Sequence, residues 1–215
     1  MSDVMTKIPE IPATQVVIKP PRFERAAITI HGTSPFLQHK FSQKARIKIE
    51  ETQREGSRSR KGKQKEARNF EDDYEQAKHI SSEGWCGIPA PAFRNAMISA
   101  CRLAGFAMTR AKLSIFVEAD GLDVDDGTPL VRISGEPECH QSYARNESGV
   151  VDLRWRPMWR EWSAVLKLRW DADQFSATDI VNLLARAGQQ VGIGEGRPDS
   201  PNSNGLGLGL FEVVP

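Results

Sequence analysis

The chain is 215 residues long, 39% hydrophobic and 27% charged, with a formal net charge of +1. That is apolar enough to fold and too close to neutral for bulk attraction to a polyanion. Cys86, Cys101 and Cys139 share no CxxC or CxH spacing, which argues against a disulfide framework or a zinc site, and a reducing cytoplasm is the expected home.

Residues 1–24 carry several prolines and no period, and read as an extended arm that could fasten onto a neighbouring subunit. No apolar run follows a basic start there, so no export signal is expected. The run from Ala26 to Ile30, closed by Gly32 and Pro35, predicts a buried first strand that opens a single domain over 25–215. Residues 35–84 read as an insertion. Its stretch from Lys40 to Arg68 holds eleven Lys or Arg against four Glu, with a glycine and serine break and no core-forming residue at its centre.

A helix is predicted through Phe93, Met97, Ile98, Ala100 and Ala104, with Pro91 in its first turn and Gly105 at its end. The apolar stretch from Phe93 to Met108 is interrupted by Arg94 and Arg102, and no membrane span is expected. LSIFVEA and LVRIS predict a pair of strands across the acidic turn Glu118 to Asp126. Residues 136–162 read as an irregular extension. AVLKLRW alternates Ala164, Leu166, Leu168 and Trp170 with Val165, Lys167 and Arg169, the pattern of a half-exposed strand. SATDIVNLLARAG predicts a helix capped by Ser176, with Asp179 in the capping-box position and Gly188 as its stop. A glycine-rich loop then leads into a last strand.

This order predicts an α+β fold, a decorated ferredoxin-like (RRM-like) βαββαβ domain with a large basic insertion after the first strand. The glycines Gly192, Gly194, Gly196, Gly205, Gly207 and Gly209 follow the second helix and lead into LFEV. That ending resembles the C-terminal glycine-rich loop of the RAMP superfamily of CRISPR-associated proteins. The resemblance implies a guide-RNA backbone-subunit-like protein and, as the other branch of the superfamily, a processing endoribonuclease.

Three constellations carry the expected chemistry. Lys40, Lys44, Arg46, Arg58, Arg60, Lys61 and Lys63 form an electrostatic footprint able to displace counterions from phosphates. Arg154 and Arg156 interleave with Trp155 and Trp159, so that guanidinium groups could hold phosphates while bases stack on the rings; Trp170 reads as structural. Gly194, Gly196, Gly205 and Gly207 would let backbone N–H groups approach phosphate oxygens, with Arg197 adding a charge-assisted contact. The acids before Asp126 lack the rest of a calcium-loop pattern and read as a solvated turn.

The expected function is sequence-tolerant binding of single-stranded nucleic acid, RNA ahead of DNA, in a filament or ribonucleoprotein assembly, by a homo-oligomer or a subunit of a larger complex. No cofactor, metal or catalysis is expected. The alternatives are a metal-independent endoribonuclease using His31 or His39 as general acid or base, and an inhibitor that mimics or occupies a subunit position in such an assembly.

Overall fold

The computed structural model describes residues 18–41, 47, 50, 51, 53, 54, 69–145, 151–200 and 205–214. The first strand, β1, runs from Phe23 to Gly32, longer than its apolar heart, and Ile30 is its fully buried member. After it come β2 (Phe36–Leu37), helix α1 (Phe70–Gln76), β3 (Gly87–Pro89) and helix α2 (Ala90–Ala100). Helix α3 (Met108–Ser114), β4 (Ile115–Glu118), β5 (Gly121–Leu122) and β6 (Pro129–Ser134) follow. The chain continues through β7 (Glu138–Arg145), β8 (Val151–Trp159), β9 (Ser163–Asp171), α4 (Ala177–Arg186) and β10 (Phe211–Val213).

The protein is α+β with antiparallel sheets. The larger sheet has the order β10-β1-β9-β6-β3, with β4 also paired to β9 and β5 to β6. A smaller sheet has the order β2-β8-β7. In β9 the alternation holds: Ala164, Leu166, Leu168 and Trp170 are buried against the helices, whereas Val165 and Lys167 face out. Helix α2 contributes Phe93 and Met97 to that core and α4 contributes Ile180, Leu183 and Leu184. The Ser176–Asp179 capping box forms in both directions and satisfies amides at the start of α4, a motif worth about 1 kcal/mol.

Four expectations are corrected. Residues 136–162 are not irregular: β7 and β8 form a long hairpin from Glu138↔Met158 to Arg145↔Val151. Its polar sequence hid it, because neither strand needs an unbroken apolar face when one side lines a groove. Leu113 and Ser114 of LSIFVEA close α3, and only Ile115–Glu118 is strand. Gly188 does not stop α4; the chain passes into a π-helical turn, Ala187–Val191, and turns away at Gly192 with φ 72°. Finally, Phe36 and Leu37, at the start of the expected insertion 35–84, are part of the core. Both are buried and pair with Trp159 and Met158.

Among the described residues no helix is long and apolar enough to cross a membrane.

Candidate functional site

An open groove of about 1600 Å³ lies between the β7–β8 hairpin, β2, one face of α2 and the glycine-rich loop. Strand alternation sets its hairpin wall. Arg154 and Arg156 point into the groove, and on β7 their cross-strand partners Ser142 and His140 line it beside them. Tyr143, at the outer end of β7, is 76% exposed and borders the same groove. Trp155 points the other way and stacks on Phe70 of α1 at 5.2 Å between ring centroids. Trp159 is wholly buried against Phe36 at 5.5 Å. Neither ring therefore serves as the base-stacking platform expected of it; their partners are Phe70 and Phe36.

The loop forms the opposite wall and is tightly built. The Glu195 amide donates to the Leu37 carbonyl at 2.9 Å, Gly209 to Pro35 at 2.8 Å, Ile193 to Gly209 at 3.0 Å and Leu208 to Gly196 at 3.2 Å. Those four amides are committed to protein acceptors. Among the described residues the amides of Gly194, Gly196 and Gly207 find no protein acceptor. Gly194, Gly196, Gly205 and Gly207 all have positive φ. At Gly194 a Cβ would also lie 2.7 Å from the Leu37 carbonyl oxygen and collide with the Phe36 ring, so this glycine is required by packing.

Two arginines meet the loop. Arg197, half-buried, donates to the Gly194 carbonyl at 2.9 Å and lines the groove. Arg156 is 5% exposed; its guanidinium reaches Ser142 Oγ and forms an ion pair with Glu195 across the groove floor. The loop's outer end is tied to α2: Arg102 donates to Asp199 at 2.6 Å and to Ser99 Oγ at 2.5 Å, and Ser99 donates to Asp199. The Ser99 hydrogen bond chiefly, then Arg102, holds the Asp199 carboxyl below the usual carboxylate range despite partial burial.

Beneath the groove is a buried polar knot. Lys40 Nζ donates to Asp123 Oδ1 at 2.7 Å and to Asp125 Oδ2 at 2.6 Å, while His79 Nδ1 lies 2.7 Å from Asp123 Oδ2. Gln38 bridges from below, accepting from the His79 amide and donating to the Gly87 carbonyl. Burial pushes the Asp123 carboxyl up, but hydrogen bonds from Lys40, the Asp125 amide and His79 prevail and hold it low. Lys40 is the converse: burial lowers its pKa, and the two aspartates more than restore it, leaving it raised. Lys40 is thus corrected from phosphate ligand to internal cation. Part of the acidic turn is likewise not solvated, because Asp123 is buried as its counter-charge.

The groove brings together Arg154, Arg156, Gly194, Gly196, Arg197 and His39 from the expected set. His31 lies elsewhere, exposed on β1 opposite Glu212. Gly205 and Gly207 sit on the return limb of the loop, outside the groove's lining. Lys44, Arg46, Arg58, Arg60, Lys61 and Lys63 lie outside the described residues.

Sequence reasoning missed His79, His140, Tyr143 and Asp123. Polar alternation in ECHQSYAR signals a strand with His140 on one face, whereas nothing in the spacing joins His79 to Asp123. Among the described residues no cluster of His, Cys, Asp and Glu could hold a metal ion.

No family model matches the chain, and no curated protein matches it.

Proposed function

We propose that the groove is the path of a single nucleic-acid strand, bound through its phosphates with little sequence reading, RNA ahead of DNA, by a chain that works within a larger assembly. The observation that carries this reading is the convergence on one groove of Arg154 and Arg156 from the hairpin and Arg197 from the glycine-rich loop. Guanidinium groups on opposite walls suit a backbone running between them. Within the expected insertion 35–84 the Lys40 amide donates to the Ala77 carbonyl at 3.1 Å, next to His39 and His79, both of which line the groove. A ferredoxin-like core is part of the proposal, supported by the path β1, α2, β4, β9, α4, β10 and by the neighbour order β10-β1-β9-β4.

Fluorescence anisotropy with unrelated single-stranded oligonucleotides at two salt concentrations tests this. Arg154→Ala with Arg197→Ala is expected to weaken binding by about tenfold or more, equally for each sequence, and to flatten the salt dependence. Absence of any binding by the wild type at low salt would refute the strand path.

A second reading, metal-independent RNA cleavage, is favoured by one observation: His39, His79 and His140 line the same groove, and Asp123 fixes the orientation of the His79 ring. Incubation with RNA in chelator decides it. Products that vanish in His79→Ala would establish an enzyme; intact RNA leaves a binding protein.

A further inference from the structure

Arg156 and Glu195 are an unusual pair for a groove floor. The Arg156 side chain is 5% exposed and the Glu195 side chain 35%, so the arginine is fixed in the wall while the glutamate reaches it from the groove surface and buries Oε2 against it. Their charged atoms, Arg156 Nη1 and Glu195 Oε2, face each other closely but out of hydrogen-bonding alignment. Among the described residues Arg156 Nε has no acceptor, while Nη2 is bonded to Ser142 Oγ. Nε of this buried, permanently charged side chain is therefore left without an acceptor behind the groove wall, and Nη1 meets only the Glu195 carboxylate. A guanidinium normally takes a bidentate oxyanion, and a misaligned carboxylate meets the charge without meeting the geometry.

Glu195 is also placed to leave. Its amide is held by Leu37, so the backbone stays put while the side chain can rotate toward solvent. Next to it, the amides of Gly194 and Gly196 find no protein acceptor among the described residues, and Arg197 is anchored on the neutral Gly194 carbonyl.

From this we infer that Glu195 is a built-in anion mimic: its carboxylate occupies, imperfectly, a phosphate position on Arg156, and an incoming phosphate displaces it. The inference rests on the reading of the groove as a strand path and deepens it by naming one phosphate position and the side chain that guards it. Displacement sets a threshold. A ligand must supply better geometry than Glu195 does, which a tetrahedral phosphate with several oxygens can do and a chloride ion cannot. A pair whose purpose is only to brace the loop against the hairpin gives the opposite sign on mutation, because the buried arginine would then lose its partner and nothing would profit.

The test uses the full chain, freed of co-purified nucleic acid, as wild type and as Glu195→Gln. Two probes are used, inorganic phosphate followed by melting temperature and a labelled single-stranded oligonucleotide followed by anisotropy. Glu195→Gln is expected to melt lower than wild type without ligand, to regain more on adding phosphate, and to bind the oligonucleotide at least about tenfold more tightly. Arg156→Lys, which keeps the charge but loses the fork, should abolish that gain in the double variant. Glu195→Asp withdraws the carboxylate by one methylene and should give an intermediate affinity, which keeps the inference testable if Glu195→Gln is too unstable to purify.

Equal or weaker oligonucleotide binding by Glu195→Gln, with equal phosphate response in both proteins, would overturn the mimic in favour of a brace while leaving the strand path standing. A larger phosphate response in Glu195→Gln with no oligonucleotide binding by either protein would uphold the anion position and refute the strand path, pointing to a free phosphate or small phosphorylated ligand.

Discussion

Two faces of this protein carry arginines beside aromatic rings, and they differ in what holds the charge. On the outer face of the large sheet Arg25 pairs with Glu118 at 3.0 Å and Lys167 with Asp120 at 2.7 Å. Arg169 lies between Phe23 and Phe116, 4.9 and 4.8 Å from their ring centroids. In the groove, Arg197 is bonded to a neutral carbonyl and Arg156 to a carboxylate that is out of alignment. A cation bonded to a carbonyl keeps its full charge for an incoming anion, whereas one paired with a well-aligned carboxylate presents little net field beyond a Debye length. The residue types on the two faces are alike; Arg25 and Lys167 are answered by aligned carboxylates on the outer face, whereas Arg156 and Arg197 in the groove are not.

The largest effect is expected from removing what the groove rests on. Lys40 and Asp123 are both buried; deleting one leaves Lys40 with the half-exposed Asp125 or Asp123 with His79, so the cost approaches the lower end of the about 3–5 kcal/mol typical of a broken buried pair. Lys40→Met and Asp123→Asn should therefore lower the denaturation midpoint strongly, whereas loss of an outer-face pair should not. The pH dependence has a definite sign. Because the folded Asp123 carboxyl titrates below its ordinary value, its contribution is present above the ordinary carboxylate pKa and is lost as pH falls through the lowered one. Wild type should lose stability on that acid limb, and Asp123→Asn should show a flatter limb in urea melts taken across it.

A smaller effect separates the two limbs of the glycine-rich loop. Gly194→Val must push a Cβ against the Phe36 ring and the Leu37 carbonyl and also strain a φ of 74°, so melting should fall by several degrees and binding with it. At Gly207 nothing lies within 4 Å of a Cβ, and only the φ of 69° resists, a strain of about 1–3 kcal/mol. Gly207→Val should be the milder of the two in a thermal melt. Equal losses would mean that the packing at Gly194 is not what demands glycine there.

How far the sequence reaches can be judged from the same contrast. The strands and helices that bury an apolar face were legible, because β9 alternates and α4 carries a capping box and an apolar stripe. The hairpin was not, since ECHQSYAR and VDLRWRPMW owe their pairing to each other and to α1 rather than to an apolar period. Of the site, the glycines and Arg154, Arg156 and Arg197 could be picked out as types of residue, yet Trp155 and Trp159 could not be told from stacking residues without knowing that Phe70 and Phe36 meet them. Lys40 was read with its neighbours in a basic run, and its burial depends on Asp123, eighty-three residues away. Long-range electrostatic partners leave no mark in local spacing.

The smallest expected effect is also the most discriminating. Arg25 and Lys167 are mostly exposed, and exposed ion pairs lose in side-chain entropy and screening nearly what they gain in attraction. Arg25→Ala with Lys167→Ala removes two positive charges from the chain, as does the groove pair Arg154→Ala with Arg197→Ala, so both double variants change net charge by the same amount. If binding followed net charge, the two would weaken it alike. If it follows local partners, the outer-face variant should keep wild-type affinity and salt slope, because each deleted cation was already answered by Glu118 or Asp120, and the carboxylates left behind face away from the groove. The outer-face variant should also melt within the error of the wild type. A loss of affinity as large as that of the groove variant would mean that the strand is drawn by the overall field, and the distinction between the two faces would fail.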